Sequence, residues 1–292
     1  MDWLWSGLCF HRFRHSFYRL RFRRETISWA RLKKTALIWQ IHNWSHRGDA
    51  WSYDWGTSDA EWYGTLLPRI HSWLSVHTIL ELGPGFGRWT QYLKEYADKM
   101  ILVDVTPRCI EGCRARFGNE SHIVYHVNDG RSLPMIDDRS VDFVFSFDSL
   151  VHVDEDAIAS YLAEIRRTLT KDGVAFLHHS NLGAHALRVA VSKVLPSLVN
   201  RALHRYGFTV MNAYWRAENE SAELFVKQCS EAGLVCRSQE IIPWGTGGPL
   251  SDCISVVTLP SSRWAQPTHR TVNRQFLIEA RHCKARSALY ES

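Results

Sequence analysis

The stretch Ile79-Leu80-Glu81-Leu82-Gly83-Pro84-Gly85-Phe86-Gly87 decides the fold. An apolar strand runs into three glycines at alternate positions, and the spacing that follows predicts a helix over residues 88–96. Glycine lets the chain turn sharply and lets a ligand approach the main chain. A strand, a Gly-rich turn and a helix in that order place a ligand at the carboxyl end of the strand, beside a helix N-terminus. The spacing is Gly-x-Gly-x-Gly, not the Gly-x-Gly-x-x-Gly that holds a pyrophosphate, and no Gly-Lys-Ser/Thr follows as a P-loop requires. Glu81, just ahead of the turn, suits a cationic, phosphate-free ligand better than a pyrophosphate.

Working outward, strands and helices alternate, the signature of a parallel sheet with crossovers. Strands are predicted at 78–82, 100–103, 122–126, 141–145 and 174–178, with helices at 107–117 and 156–169. Lys171-Asp172-Gly173 provides the stop for the latter helix. Residues 182–220 form an insertion able to shape an acceptor pocket, helical over 189–203 with Pro196 interrupting it. A last crossover helix is expected at 221–232, stopped by Gly233. Strands at 234–241 and 253–259 follow, joined too briefly for a helical crossover and therefore antiparallel. Residues 78–260 form the expected domain, preceded by a basic, aromatic arm (1–47) and a Trp-rich cap or lid (48–77). The polar, basic tail 261–292 is expected to hold one helix at 272–287.

Two further signals accompany the turn. Asp104 ends the second strand, where a carboxylate can accept hydrogen bonds from both hydroxyls of a ribose. Asn128-Asp129-Gly130 follows the third strand, where a polar side chain and a backbone amide can meet an adenine edge.

These motifs, in this order, resemble the class I methyltransferase family, whose cofactor is S-adenosylmethionine. Glu81–Gly87 matches its first motif, Asp104 its acidic strand-two position, Asp129 its adenine position and Val141–Asp148 its strand-four motif. The resemblance implies a doubly wound, Rossmann-like α/β fold with a seven-stranded sheet of order 3-2-1-4-5-7-6 and an antiparallel last strand, here with an N-terminal helical extension. It implies cofactor contacts by Glu81, Gly83, Gly85, Gly87, Asp104, Asn128, Asp129, Gly130 and Phe147. The lead-in Trp51–Trp62, the Pro84–Gly87 turn, Phe147–His152 and His178–Asn181 are similar to methyltransferases acting on sugars of polysaccharides and lipid-linked glycans. That narrower resemblance implies a sugar hydroxyl as acceptor.

Methyl transfer to a hydroxyl is an in-line displacement needing alignment, exclusion of water and a proton acceptor. His152, four residues after Asp148, lies where that base belongs, and an imidazole ordinarily titrates near about 6.5. The alternative is a histidine that caps or hydrogen-bonds locally. His178 and His179 close the fifth strand, and alternation sends them to opposite faces, so at most one faces the acceptor. Asp148, His152 and one of this pair can bind a divalent cation, and some sugar methyltransferases of this fold use magnesium. No second clear carboxylate accompanies them, so no metal ligand is assigned. Trp215 and Arg216 either meet a sugar or pack and solvate as helix residues do. Trp244 and Asp252 flank the loop Pro243–Pro249.

The net charge of +5 is uneven, because residues 1–47 carry +8 and the remainder −3. Nucleic acid as substrate fits the basic arm but little else. Phe147-Asp148-Ser149-Leu150 argues against it, because it stands where base-modifying enzymes carry Asp/Asn-Pro-Pro-aromatic or Pro-Cys. The arm, with basic and aromatic residues interleaved over Phe10–Phe22, either packs on the domain or contacts an anionic membrane, a nucleic acid or another charged partner. Seven cysteines, an odd number without a Cys-x-x-Cys pair, exclude a full disulfide framework and a structural zinc site, and fit a reduced, cytoplasmic chain. The apolar run Trp3–Phe10 is too short for a span, and its basic residues follow it rather than precede it as in a signal peptide. Two other functions stay open: a methyltransferase for a lipid or small metabolite at a membrane surface, and a non-catalytic binding module. The intact glycines with Asp104 and Asp129 argue against the latter.

Overall fold

The computed structural model describes residues 32–33, 35–210, 216–244 and 249–289. The stretch Phe10–Phe22, most of the arm, Trp215 and the middle of the Pro243–Pro249 loop lie outside the described residues.

Eight strands form one sheet in the order β3-β2-β1-β4-β5-β7-β6-β8. They are β1 (Val76–Leu82), β2 (Ala97–Asp104), β3 (Ile123–Val127), β4 (Val141–Ser146), β5 (Leu169–Ser180), β6 (Val235–Ile242), β7 (Asp252–Thr258) and β8 (His269–Val272). β1 to β5 pair in parallel, and β7 runs antiparallel to both β5 and β6. The five carboxyl-terminal residues of β1 and of β2 are all buried. Strands covered on both faces by crossover helices have this near-continuous apolar character.

The sheet has one strand more than the seven expected. β8 lies parallel to β6 at the edge, and all four of its residues are exposed. A short polar edge strand shows no apolar alternation, so pattern gives no sign of it. The tail helix accordingly begins after the strand, at Phe276 rather than Val272.

The helices are α1 (Ser58–Glu61, continued through a π turn at Trp62–Leu66 and Leu67–Ile70), α2 (Thr90–Leu93), α3 (Pro107–Phe117), α4 (Glu155–Thr168), α5 (Ala186–Val194), α6 (Ser197–Arg205), α7 (Ala222–Glu231) and α8 (Phe276–Ser287). α4 buries Ile158, Tyr161, Leu162 and Ile165 at helical spacing. Its first turn is acidic and its last basic, which complements the helix dipole. It ends at Thr168, before the expected stop at Lys171-Asp172-Gly173. Leu169 instead pairs with Val141, and Gly173 is inside β5. A Cβ on Gly173 would come within 2.9 Å of the Val141 carbonyl, so the glycine serves a close strand approach rather than a helix cap. α7 is capped by the Ser221 hydroxyl, which accepts from Leu224 N.

Two apolar layers cover the sheet. One joins α1, α3 and α8 through Trp62, Leu66, Ile110 and Phe276; the other joins α4 and α7 through Ile158, Ile165 and Phe225. α8 docks firmly, with Phe276, Ala280 and Cys283 buried at i, i+4 and i+7. Arg69 of α1 ties it down through paired hydrogen bonds to Glu279 and to Glu240 of β6. Strand order reverses between β1 and β4, and crevices at such switch points bind ligands in open α/β sheets.

Candidate active site

A cleft opens at this switch point, at the carboxyl ends of β1, β2 and β4. Gly83, Gly85, Asp104, Gly130, Phe147 and His152 all line it. Gly83 has φ +71°, and a Cβ there would strike the Ser149 side chain of the loop after β4. Only glycine allows the first loop and the fourth strand's loop to meet this closely.

Asp104 is held for acceptance. Its Oδ1 receives Thr106 N at 2.8 Å and its Oδ2 receives Gly85 N at 3.3 Å. Burial raises its pKa to about 6 against these donors. Asp104 lines the cleft, where a carboxylate, with about four acceptor sites, can also accept from the hydroxyls of a ribose. With the glycine turn on one side and Phe147 on the other, the lining fits a nucleoside carrying no phosphate.

Four expected contacts do not line the cleft. Glu81 is buried beneath the turn, where it accepts the Thr90 hydroxyl at 2.6 Å, and burial raises its pKa to about 8. Gly87 packs against Phe117. The Asn128 amide donates to Ser132 O and to the Tyr161 hydroxyl, and that tyrosine does line the cleft. Asp129 accepts Arg131 N and Ser132 N, which fixes the turn carrying Gly130. These residues shape the loops that the lining residues stand on.

The lead-in closes over the cleft. Trp44 stacks on Phe86 of the glycine turn at 4.8 Å, and Trp39 lies 5.0 Å from the His152 ring. The enclosed space is about 90 Å³, against roughly 300 Å³ or more for pockets that hold drug-sized ligands.

A second cavity of about 420 Å³ adjoins the first and shares Trp39, Trp51, Asp148 and His152 with it. Its other walls include Tyr53, Asp54, Arg216 and Trp244. His152 lies in a 3-10 turn at Leu150–His152, with its backbone N–H on Ser149 O.

Behind this shared wall lies a buried chain of charges. Asp148 has φ +61°, a strained conformation for a residue other than glycine. Its carboxylate accepts Arg88 Nη2 at 3.1 Å and Arg216 Nη2 at 3.4 Å, and its backbone N–H donates to His178 Nδ1. That bond leaves the His178 proton on Nε2, which donates to Asp252 Oδ2 at 3.1 Å. Arg216 also grips Asp252 through Nε and Nη2. Burial alone would raise the Asp252 pKa, but the Arg216 charge and the His178 bond hold it well below the usual carboxylate range. Glu61 of α1 lies 3.9 Å from Arg88, and its burial raises its pKa to about 7.

As alternation requires, His179 points to the opposite face. It stacks on Phe225 at 4.0 Å and bonds to Ser255, and burial lowers its pKa to about 3. The donor set does not fit a divalent cation such as magnesium. Asp148 is engaged by two arginines, both His178 nitrogens are engaged, and His179 faces away. Among the described residues no cluster of three or more His, Cys, Asp or Glu has a metal-binding arrangement.

The residues that sequence reasoning missed are Arg88, Glu61, Phe86, Tyr161 and the aromatic walls as a set. Only the density of tryptophan in the lead-in hinted at the last.

Residues 79–173 match the family model described as a methyltransferase domain. The chain is similar to Nodulation protein S of Sinorhizobium fredii (strain NBRC 101917 / NGR234), 31% identical over 83 residues, which are 28% of this chain and 38% of that protein. It is also similar to Phosphoethanolamine N-methyltransferase 1 of Caenorhabditis elegans, 26% identical over 114 residues, which are 39% of this chain and 23% of that protein. The chain thus spans less than two fifths of the length of these curated relatives. Among solved structures it is similar to the PH0226 protein from Pyrococcus horikoshii OT3, with 20% identity and a TM-score of 0.49 over 67% of this chain and 88% of that one. Residues 79–173 thus carry a methyltransferase domain, and S-adenosylmethionine is the cofactor that this match and the glycine turn support.

Proposed function

We propose that the chain methylates a sugar hydroxyl of a glycan or glycoconjugate, with His152 as the base. The observation that carries this reading is the shared wall: His152 lines both the cofactor cleft and the aromatic cavity beside it. S-adenosylmethionine supplies an activated methyl group. Trp39, Trp51, Tyr53 and Trp244 give the neighbouring cavity flat apolar walls against which the C–H faces of a sugar ring stack. They also exclude water from the transfer. His152 takes the hydroxyl proton at a ring nitrogen as the oxygen is methylated. Arg88, Asp148 and Arg216 hold the loop that carries His152, so the base is positioned before the acceptor arrives.

A second reading is methylation of an amine. Aromatic walls beside Asp54 equally suit a cation, and the Caenorhabditis elegans relative is named as an N-methyltransferase of phosphoethanolamine. A lipid or small metabolite at a membrane surface is compatible with either chemistry. The test is transfer of labelled methyl to a panel of glycans and of primary amines, by the parent and by His152→Ala. On the sugar reading, label enters the glycans, and His152→Ala loses roughly 10²–10⁴-fold in turnover while still binding S-adenosylhomocysteine. Label in amines alone, with a small His152→Ala effect, selects the second reading.

A further inference from the structure

The insertion between β5 and α7 shows a feature that the transfer reaction does not use. α5 and α6 are successive helices joined at Leu195-Pro196, and each carries exposed apolar residues. On α5, Leu187 and Val194 are 79% and 81% exposed, and Val191 lies between them, at i, i+4 and i+7. On α6, Leu198 is 77% exposed with Val199 beside it, and the segment ends in exposed Tyr206 and Phe208. Soluble surfaces carry single exposed apolar residues freely, but a contiguous patch marks an interaction site.

The segment is ordered independently of those residues. Val189 turns inward against Leu182 and Val210. Ser192 accepts at its carbonyl from the Asn200 amide and at its hydroxyl from Val210 N, and the Thr209 hydroxyl donates to Asn200 O. The exposed apolar residues therefore stand on a built element.

Charge identifies the occupant. From Asn181 to Ala217 the sequence has no acidic residue, while Arg188, Lys193, Arg201 and Arg205 lie within the two helices. Arg188 and Arg201 are exposed, and Lys193 pairs with Glu218 at the base. An apolar stripe flanked by arginines, with Tyr and Phe at one end, has the chemistry of helices that lie in a membrane interface.

We propose that the α5–α6 segment docks the chain on an anionic lipid surface. The proposal does not depend on which acceptor the aromatic cavity takes.

The test is co-sedimentation of the full chain with vesicles of phosphatidylcholine alone and of phosphatidylcholine mixed with phosphatidylglycerol. The parent binds the mixed vesicles, and salt weakens that binding. The triple variant Leu187→Ser, Val194→Ser, Leu198→Ser lowers the partition coefficient at least about tenfold, and Arg188→Glu with Arg201→Glu abolishes the preference for anionic lipid. Both variants keep the parent's melting temperature and S-adenosylhomocysteine affinity, because the replaced side chains are exposed. The N-terminal arm is the same in every variant, so its own binding cancels. The proposal is overturned if the parent binds neither vesicle, or if both variants bind as the parent does. It is also overturned if the parent is a dimer that the triple variant dissociates while vesicle binding stays absent, since a second copy is then the occupant.

Discussion

The two halves of the active site are built differently. The cofactor half consists of one loop, one strand end and one turn, each contributing neighbouring residues: Gly83 and Gly85, then Asp104, then Gly130. The neighbouring cavity, the proposed acceptor half, draws Trp39 and Trp51 from the lead-in, Asp148 and His152 from the loop after β4, Arg216 from the end of the insertion and Trp244 from the loop after β6. A local site is specified by spacing along the chain. A site assembled from four distant segments is specified by the packing of the whole domain and by a buried charge network.

That difference predicts where each half breaks. The largest effect is expected at Arg216, only 5% exposed at its side chain and bonded to both Asp148 and Asp252. Arg216→Ala leaves the Asp252 carboxylate in the interior without its arginine, with Asp148 held by Arg88 alone, and destabilises by about 3–5 kcal/mol. Denaturant unfolding measures this, and a loss below about 1 kcal/mol contradicts the network's structural role. Gly83→Ala comes next, because it forces a side chain onto φ +71° and into Ser149. It costs about 1–3 kcal/mol and removes most cofactor affinity, as calorimetric titration with S-adenosylhomocysteine reads directly.

Asp104→Asn sharpens the contrast, since it should affect only the cofactor half. About a tenfold loss in cofactor affinity is expected, the worth of one charge-assisted hydrogen bond. With the folded pKa of Asp104 raised to about 6, parent affinity weakens as pH falls through that value and is flat above it. The variant shows no such step.

The smallest effect is at Glu81. Its pKa is raised from 4.5 to about 8 in the fold, so across that window the folded chain holds a proton that the unfolded chain has released. Stability therefore declines as pH rises from 4.5 to 8 and levels off above. Glu81→Gln flattens this component of the slope in melting temperature against pH, and an unchanged slope assigns it elsewhere.

The same contrast explains what was legible in the sequence. The glycine turn and Asp104 rest on local signals, and the structure places them together; the strand order 3-2-1-4-5-7-6 came with the family resemblance, and the sheet has that order with β8 added at its edge. Glu81 and Asp129 carry the right motif positions, yet their side chains serve the loops rather than the cleft, because a motif records where a residue stands and not where it points. β8 has four exposed residues, of which only Val272 is apolar, and no apolar alternation to reveal it. Lys171-Asp172-Gly173 looks like a helix stop, but pairing of Leu169 with Val141 overrides it. Arg216 and Asp252 are 36 residues apart and Arg88 and Asp148 are 60 apart, so only the folded sheet makes them partners.

The cofactor cleft and the proposed acceptor cavity meet at His152. The most direct test of its role there pairs two readings on His152→Ala: affinity for S-adenosylhomocysteine, and turnover of labelled methyl into the acceptor identified with the parent. The account predicts unchanged affinity with turnover reduced about 10²-fold or more. Unchanged turnover, or a loss of turnover that follows a loss of affinity, contradicts it.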